Sequence, residues 1–302
     1  WWVISPKEGR QTACVFPDYP RLQMPVKATR LERRMRGGAQ AHLLACDDGR
    51  FYVTKFVNNP QHRRILANEW TAAALLRHLG VATPEVRVVE ISPEFLAANP
   101  RVGLELGSRR EPVPPGWHFG SLFPGKPEQD AVYDYLPDAL LPAVANLDHF
   151  AATLVADKWM ANSDSRQAIF FRRRLREWLD VPASSQQKGF IAQMVDHGYA
   201  FDGPHWSFND SPIQGLYFRP LVYAHLRSLD DLQPALDRVR GCPATVFDEI
   251  LRHMPESWIE GDEKEFEKLI EQLHLRRTRI EQLLLATVRA RPQSFPAWQA
   301  VA

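Results

Sequence analysis

The chain has 302 residues, a formal net charge of +1, 45% apolar and 24% charged side chains. That length exceeds a usual single domain and asks for a soluble globular protein of two domains or two lobes. The near-zero charge gives no electrostatic case for broad nucleic-acid binding, and no apolar run approaches the ~20 residues that span a bilayer. Cys14, Cys46 and Cys242 lie too far apart for a metal-ligand spacing. With neither a disulfide framework nor a signal peptide, the expected setting is reducing and cytoplasmic.

Residues 1–27 mix tryptophan, proline and charge without a period and read as an irregular extension. From Thr29 to Met35 a weak alternation suggests an edge strand, interrupted by Arg36-Gly-Gly-Ala-Gln40. Ala41–Cys46 is a short apolar run, Asp47-Asp48-Gly49 a hairpin turn, and Phe51–Val57 a third strand. An antiparallel meander with a glycine loop between its first two strands follows.

Two charges here need a reason. Phe51, Val53, Lys55 and Val57 share one face of their strand, because side chains alternate, so a lysine sits among apolar neighbours. The next helix, about 62–79, carries the stripe Ile65, Leu66, Ala72, Ala73 and Leu76, with Glu69 inside it. Each buried-face charge is costly alone; paired they offset one another, and such a pair points to a lysine positioned for another purpose.

Leu79-Gly80-Val81 with Pro84 stops the helix, and Val86–Ile91 is a fourth strand. Stretches 101–106 and 117–120 are candidates for another, and Phe123–Pro127 is the best linker. Beyond it the pattern turns helical, over 133–141, 147–161, 220–227, 229–240, 243–253 and one long helix over 263–290. The exceptions are strands at 168–172 and 189–195, the second ending on Asp196-His197-Gly198. Arg276, Arg277 and Arg279 read as a solvated helix face.

In the helix over 147–161 the apolar stripe includes Asp157, whose carboxylate must find donors. The nearest are backbone amides of the polar loop Asn162-Ser-Asp164-Ser-Arg166-Gln167, which leads into the strand Ala168–Phe171. Polar loops between rigid elements are where catalytic groups tend to sit, although Asn-Ser-Asp-Ser can also be only a turn rich in side-chain-to-backbone bonds.

The sum is an α+β, two-lobed arrangement, with a sheet-rich N-lobe over 28–125 and a helical C-lobe over 126–302. Phosphoryl transfer from ATP asks for these parts. Gly37 and Gly38 let backbone amides approach phosphates. Lys55 reaches phosphate oxygens and Glu69 holds it there. Asp164 suits the base that takes the nucleophile's proton, and Asp196, at a strand end, suits the Mg²⁺ ligand.

Gly38-Ala39-Gln40, the strand ending in Lys55, Asn68-Glu69, Leu79-Gly80-Val81 with Pro84, and Asn162-Ser-Asp164 together resemble HipA-like kinases. That family has a protein-kinase-like fold, and its best-known members are serine/threonine kinases of bacterial toxin–antitoxin systems. The resemblance covers about 36–200 and suggests the shorter, stand-alone branch. It implies that Gly38 to Gln40 cover the phosphates, that Lys55 contacts them, that Asp164 is the base and that Asp196 holds the metal. It also implies a protein hydroxyl or small-molecule hydroxyl as acceptor and an antitoxin-like partner. The family's usual asparagine five positions after the base is Ile169 here, so Gln167 or Asn162 is expected to supply the second amide ligand. The usual histidine two positions after the base is Arg166, which could neutralise the transferred phosphoryl group. Ile169 keeps a nucleotide-binding pseudokinase as the alternative.

Overall fold

A computed structural model describes residues 24–180, 182–184 and 186–299; the expected extension over 1–27 falls almost wholly outside them. Five strands close into a barrel. β1 (Val26–Arg34), β2 (His42–Cys46) and β3 (Phe51–Lys55) form the expected meander, and helix α1 (Arg64–His78) follows. β4 (Val86–Ile91) leads to a short helix α2 (Pro93–Ala98), then to a small hairpin of β5 (Leu104–Leu106) and β6 (Arg109–Glu111), and to β7 (Gly116–Leu122). Barrel order is β1-β2-β3-β7-β4. β1 is therefore not an edge: Val26 and Lys27 pair in parallel with Val89 and Glu90 and close the ring.

Alternation sorts the side chains. Tyr52 and Thr54 are fully buried, and Tyr52 packs inside the barrel with Leu44, Phe56, Val89 and Ile91. Phe51, Val53 and Lys55 take the opposite face of β3. Register then aligns Arg34 with His42 and His42 with Thr54, so the glycine loop and Lys55 lie at one end of the barrel.

After β7 come β8 (Val132–Tyr133), α3 (His149–Trp159), β9 (Gln167–Arg174) and β10 (Lys188–Val195), the three strands forming a sheet in the order β10-β9-β8. Helices α4 (Gln233–Arg240), α5 (Ala244–His253), α6 (Glu263–Arg276) and α7 (Ile280–Ala290) complete the helical half. Three expected helices differ. Residues 133–141 give a strand end and a 3-10 turn, Asp138–Ala143, because Pro137 and Pro142 remove donors and restrict the residues before them. Residues 220–227 give only a 3-10 turn, Pro220–Tyr223. The long helix over 263–290 is broken at Arg277–Arg279.

That break turns Arg276 inward: it is 6% exposed and donates to the carbonyls of Trp159 (2.9 Å) and Lys158 (3.0 Å) and to Asp210 (2.6 Å). It is a clamp on the end of α3 rather than part of a solvated face. The larger core runs from Leu66, Leu75 and Leu76 of α1 through Phe150 and Trp159 of α3 to Leu269 and Leu284 of the last helices. α1 thus packs with the helical half while it follows the barrel in sequence. Among the described residues no helix is long and apolar enough to cross a membrane.

Candidate active site

Where the barrel end meets the helical half, the Lys55 ammonium donates to Glu69 on α1 and, at 2.8 Å, to Asp196 Oδ1 at the end of β10. Lys55 and Glu69 are buried, whereas the Asp196 side chain is 40% exposed. Burial alone would push the Lys55 amine down; the Glu69 and Asp196 carboxylates outweigh it and hold the amine above its ordinary value. The Lys55 charge in turn holds Asp196 below the usual carboxylate range. Glu69 is pushed up by its burial and by Asp196, despite Lys55. Asp196 is therefore the group that stays an anion while its side chain is partly exposed, and Glu69 is the inner support.

The loop after α3 rests on a second ion pair. Asp157 takes Arg166 Nε at 2.8 Å on Oδ2 and Arg166 Nη2 on Oδ1, with side-chain exposures of 0% and 1%. Its donors are a guanidinium and the Asn162 amide (3.1 Å), not the loop's backbone amides. Asn162 also accepts from the Asp164 N–H at 3.2 Å, so both ends of its amide are occupied. Asp164 itself is exposed, its Oδ1 accepting from Ser165 N–H at 2.7 Å. The carbonyl of Asp164 takes the Gly215 N–H at 2.9 Å, and Arg166 N–H reaches the Leu216 carbonyl at 3.1 Å, docking the segment around 215 on the loop.

The structure sorts the predicted residues. Lys55, Glu69 and Asp196 are in direct contact, and Asp164 is exposed on the loop between α3 and β9. Arg166 is not free to face a phosphoryl group: its side chain is buried and committed to Asp157, to the Val195 carbonyl (3.1 Å) and to His197 (2.8 Å). Asn162 is committed too, which leaves Gln167 as the exposed amide; it pairs with Val195, one residue before Asp196. Gly37, Gly38 and Ala39 form the turn between β1 and β2, with Gln40 N–H closing on the Gly37 carbonyl at 3.1 Å. Gly37 has φ +113°, a conformation glycine adopts without penalty. The Gln40 side chain turns away to bracket Glu105 of β5, donating to its carbonyl and accepting from its N–H, each at 2.7 Å. It is a loop anchor.

Among the described residues no three His, Cys, Asp or Glu side chains gather as a metal cage. Mg²⁺ is commonly held by one or two carboxylates together with substrate phosphates; the part-exposed Asp196 carboxylate and the exposed Gln167 side chain carry oxygens of that kind. Two contributors carry weaker sequence signals. Asn68, next to Glu69, is fully buried and its amide donates to the carbonyls of Gly198 (2.8 Å), Ala200 (3.1 Å) and Gly203 (2.9 Å), gripping the segment after Asp196. Thr83, in the connection from α1 to β4, contacts His197. A buried asparagine in an apolar stripe could have flagged the first; no local pattern marks the second.

The family model for HipA-like kinases matches residues 29–290. No curated protein matches the chain. Among solved structures, the Helicobacter pylori proinflammatory kinase CtkA is similar at 14% identity and TM-score 0.44, over 88% of this chain and 98% of that one. The Golgi casein kinase with Mn/ADP bound is similar at 13% identity and TM-score 0.43, over 88% and 73%. With the family model matching residues 29–290 of the 302, the chain belongs to the HipA-like kinases.

Proposed function

We propose that this kinase passes the γ-phosphoryl group of ATP to a serine or threonine hydroxyl of a protein, with Asp164 as base and Asp196 as metal ligand. The observation that carries the reading is the Lys55 ammonium held at once by Glu69 and Asp196, at the barrel end that also carries the glycine turn. Lys55 binds phosphate oxygens with its remaining N–H. Asp164, exposed on the loop, accepts the hydroxyl proton as the new P–O bond forms and the bond to the ADP oxygen breaks. Gly37 to Ala39 bring backbone close to the phosphates. Asp196 and Gln167 would hold Mg²⁺, which neutralises charge on the phosphate oxygens when bound. Arg166 and Asn162 act beneath the loop as its supports.

Incubation with γ-labelled ATP and a cell lysate should place label in acid-precipitable protein, and Asp164→Ala should abolish it. Label found only in small molecules moves the acceptor class to a metabolite hydroxyl on the same scaffold. Ile169, half-buried where a family amide is expected, favours the second reading, a nucleotide-binding pseudokinase. A thermal shift with ATP and no transfer to any acceptor would select it. An antitoxin-like partner is a matter for co-purification from the native host.

A further inference from the structure

Between Arg166 and Thr83 the ring of His197 completes a buried chain of hydrogen bonds that runs under the site. Arg166 Nη1 lies 2.8 Å from His197 Nδ1, and His197 Nε2 lies 3.1 Å from Thr83 Oγ1. Thr83 Oγ1 donates to the Met194 carbonyl at 3.0 Å. A guanidinium has only donors, so Nδ1 must accept. The ring proton is then on Nε2 and is donated to the threonine oxygen, whose own proton goes to Met194. Every bond from the Asp157 carboxylate to β10 has its direction fixed, and His197 is a neutral ring with both nitrogens used. His197 is 2% exposed.

The residue before it is strained. Asp196 has φ +58°, a left-handed conformation that a non-glycine residue keeps only when its surroundings impose it. Lys55 holds its carboxylate on one side. On the other side the chain continues into His197, whose side chain is pinned by the catalytic loop and by the α1–β4 connection, and whose backbone N–H bonds to Glu69.

Given the reading of Asp196 as metal ligand, we propose that His197 is a positioning residue. Its ring, fixed between Arg166 and Thr83, keeps Asp196 in the left-handed conformation that presents the carboxylate to the metal, and makes loop and metal ligand move together. Removing a group that orients a metal ligand typically costs about 10- to 100-fold in metal affinity.

The test is titration of Mn²⁺ into protein saturated with ADP, for wild type, His197→Phe, His197→Asn and Thr83→Val, with melting curves to establish folding. His197→Phe keeps the ring and loses both bonds; Mn²⁺ affinity should fall about 10-fold or more. His197→Asn can still accept from Arg166 and should recover part of the loss. Thr83→Val, which leaves His197 in place, should weaken Mn²⁺ binding less than His197→Phe. Nitrogen-15 chemical shifts of His197 in the wild type should report a proton on Nε2 and a bare Nδ1. Wild-type Mn²⁺ affinity in folded His197→Phe, or in Thr83→Val together with a proton on Nδ1, overturns the positioning role while leaving the metal site intact. Absence of Mn²⁺ binding in wild type would instead remove the metal-site reading, and the positioning role with it.

Discussion

Replacing Arg166 by methionine separates two accounts of this arginine. In the structure its side chain is 1% exposed and Asp157 is 0% exposed. Arg166→Met therefore strands a buried carboxylate with a single remaining side-chain donor, the Asn162 amide. Breaking a buried pair by removing one partner costs about 3–5 kcal/mol, against about 1.5–3 kcal/mol for a charge-assisted hydrogen bond alone. The larger figure applies because no solvent reaches Asp157. With a total stability of about 5–15 kcal/mol for a typical protein, about a fifth or more of it would go. Asp157→Leu should cost a similar amount. The double variant Asp157→Leu/Arg166→Met removes both charges and should be much less destabilised than the sum of the singles, a coupling of several kcal/mol. Urea unfolding followed by tryptophan fluorescence, with an unchanged slope, measures all three. Were Arg166→Met to lose less than about 1 kcal/mol while phosphoryl transfer collapsed, the arginine would act in the cleft and the buried-support account would be wrong.

Other outcomes follow from the same contacts. Asn68→Ala should lower transfer and also destabilise the protein by about 1–3 kcal/mol, since buried carbonyls of the segment after Asp196 lose their donor; equal stability in urea would contradict this. Gln167→Leu should raise the Mg²⁺ concentration for half-maximal rate with little change in melting temperature, because its side chain is exposed. An unchanged Mg²⁺ dependence would strike Gln167 from the ligand set. For pH, Lys55 is raised above its ordinary 10.5, so its contribution is complete below that pH and is lost only as pH climbs through the higher folded value. Asp196 is depressed below 3.8, so its contribution is present above that pH and is lost as pH falls through the lower folded value. Glu69 is raised above its ordinary 4.5 by burial and is held down by Lys55, so Lys55→Met raises it further and the stability difference from wild type should widen as pH climbs from about 5; a difference that stays flat through neutral pH would contradict the pairing.

How much could be read beforehand followed the range of the interactions. Lys55 and Glu69 stood out because periods of 2 and 3.6 place them on apolar faces, a purely local signal. Asp157 stood out for the same reason, but its partner did not. Nothing local says that a loop arginine nine residues on will turn inward, so Arg166 was expected in the cleft. The side-chain partner of Gln40 was not legible either, since β5 belongs to a hairpin that three residues a side scarcely mark. The parallel β1–β4 pairing joins Val26 to Val89, and no pattern in either strand announces the other. The break at 277–279 is invisible in the apolar spacing, which continues through it; what it accomplishes, the inward Arg276, depends on α3 far away in sequence.

A crystal structure with a non-hydrolysable ATP analogue and Mg²⁺ tests the central assignment most directly. It should show phosphate oxygens within hydrogen-bond reach of Lys55 Nζ, beneath the turn at Gly37 to Ala39, and an ion on Asp196. A nucleotide bound elsewhere, with the Lys55 amine touching only Glu69 and Asp196, would contradict it.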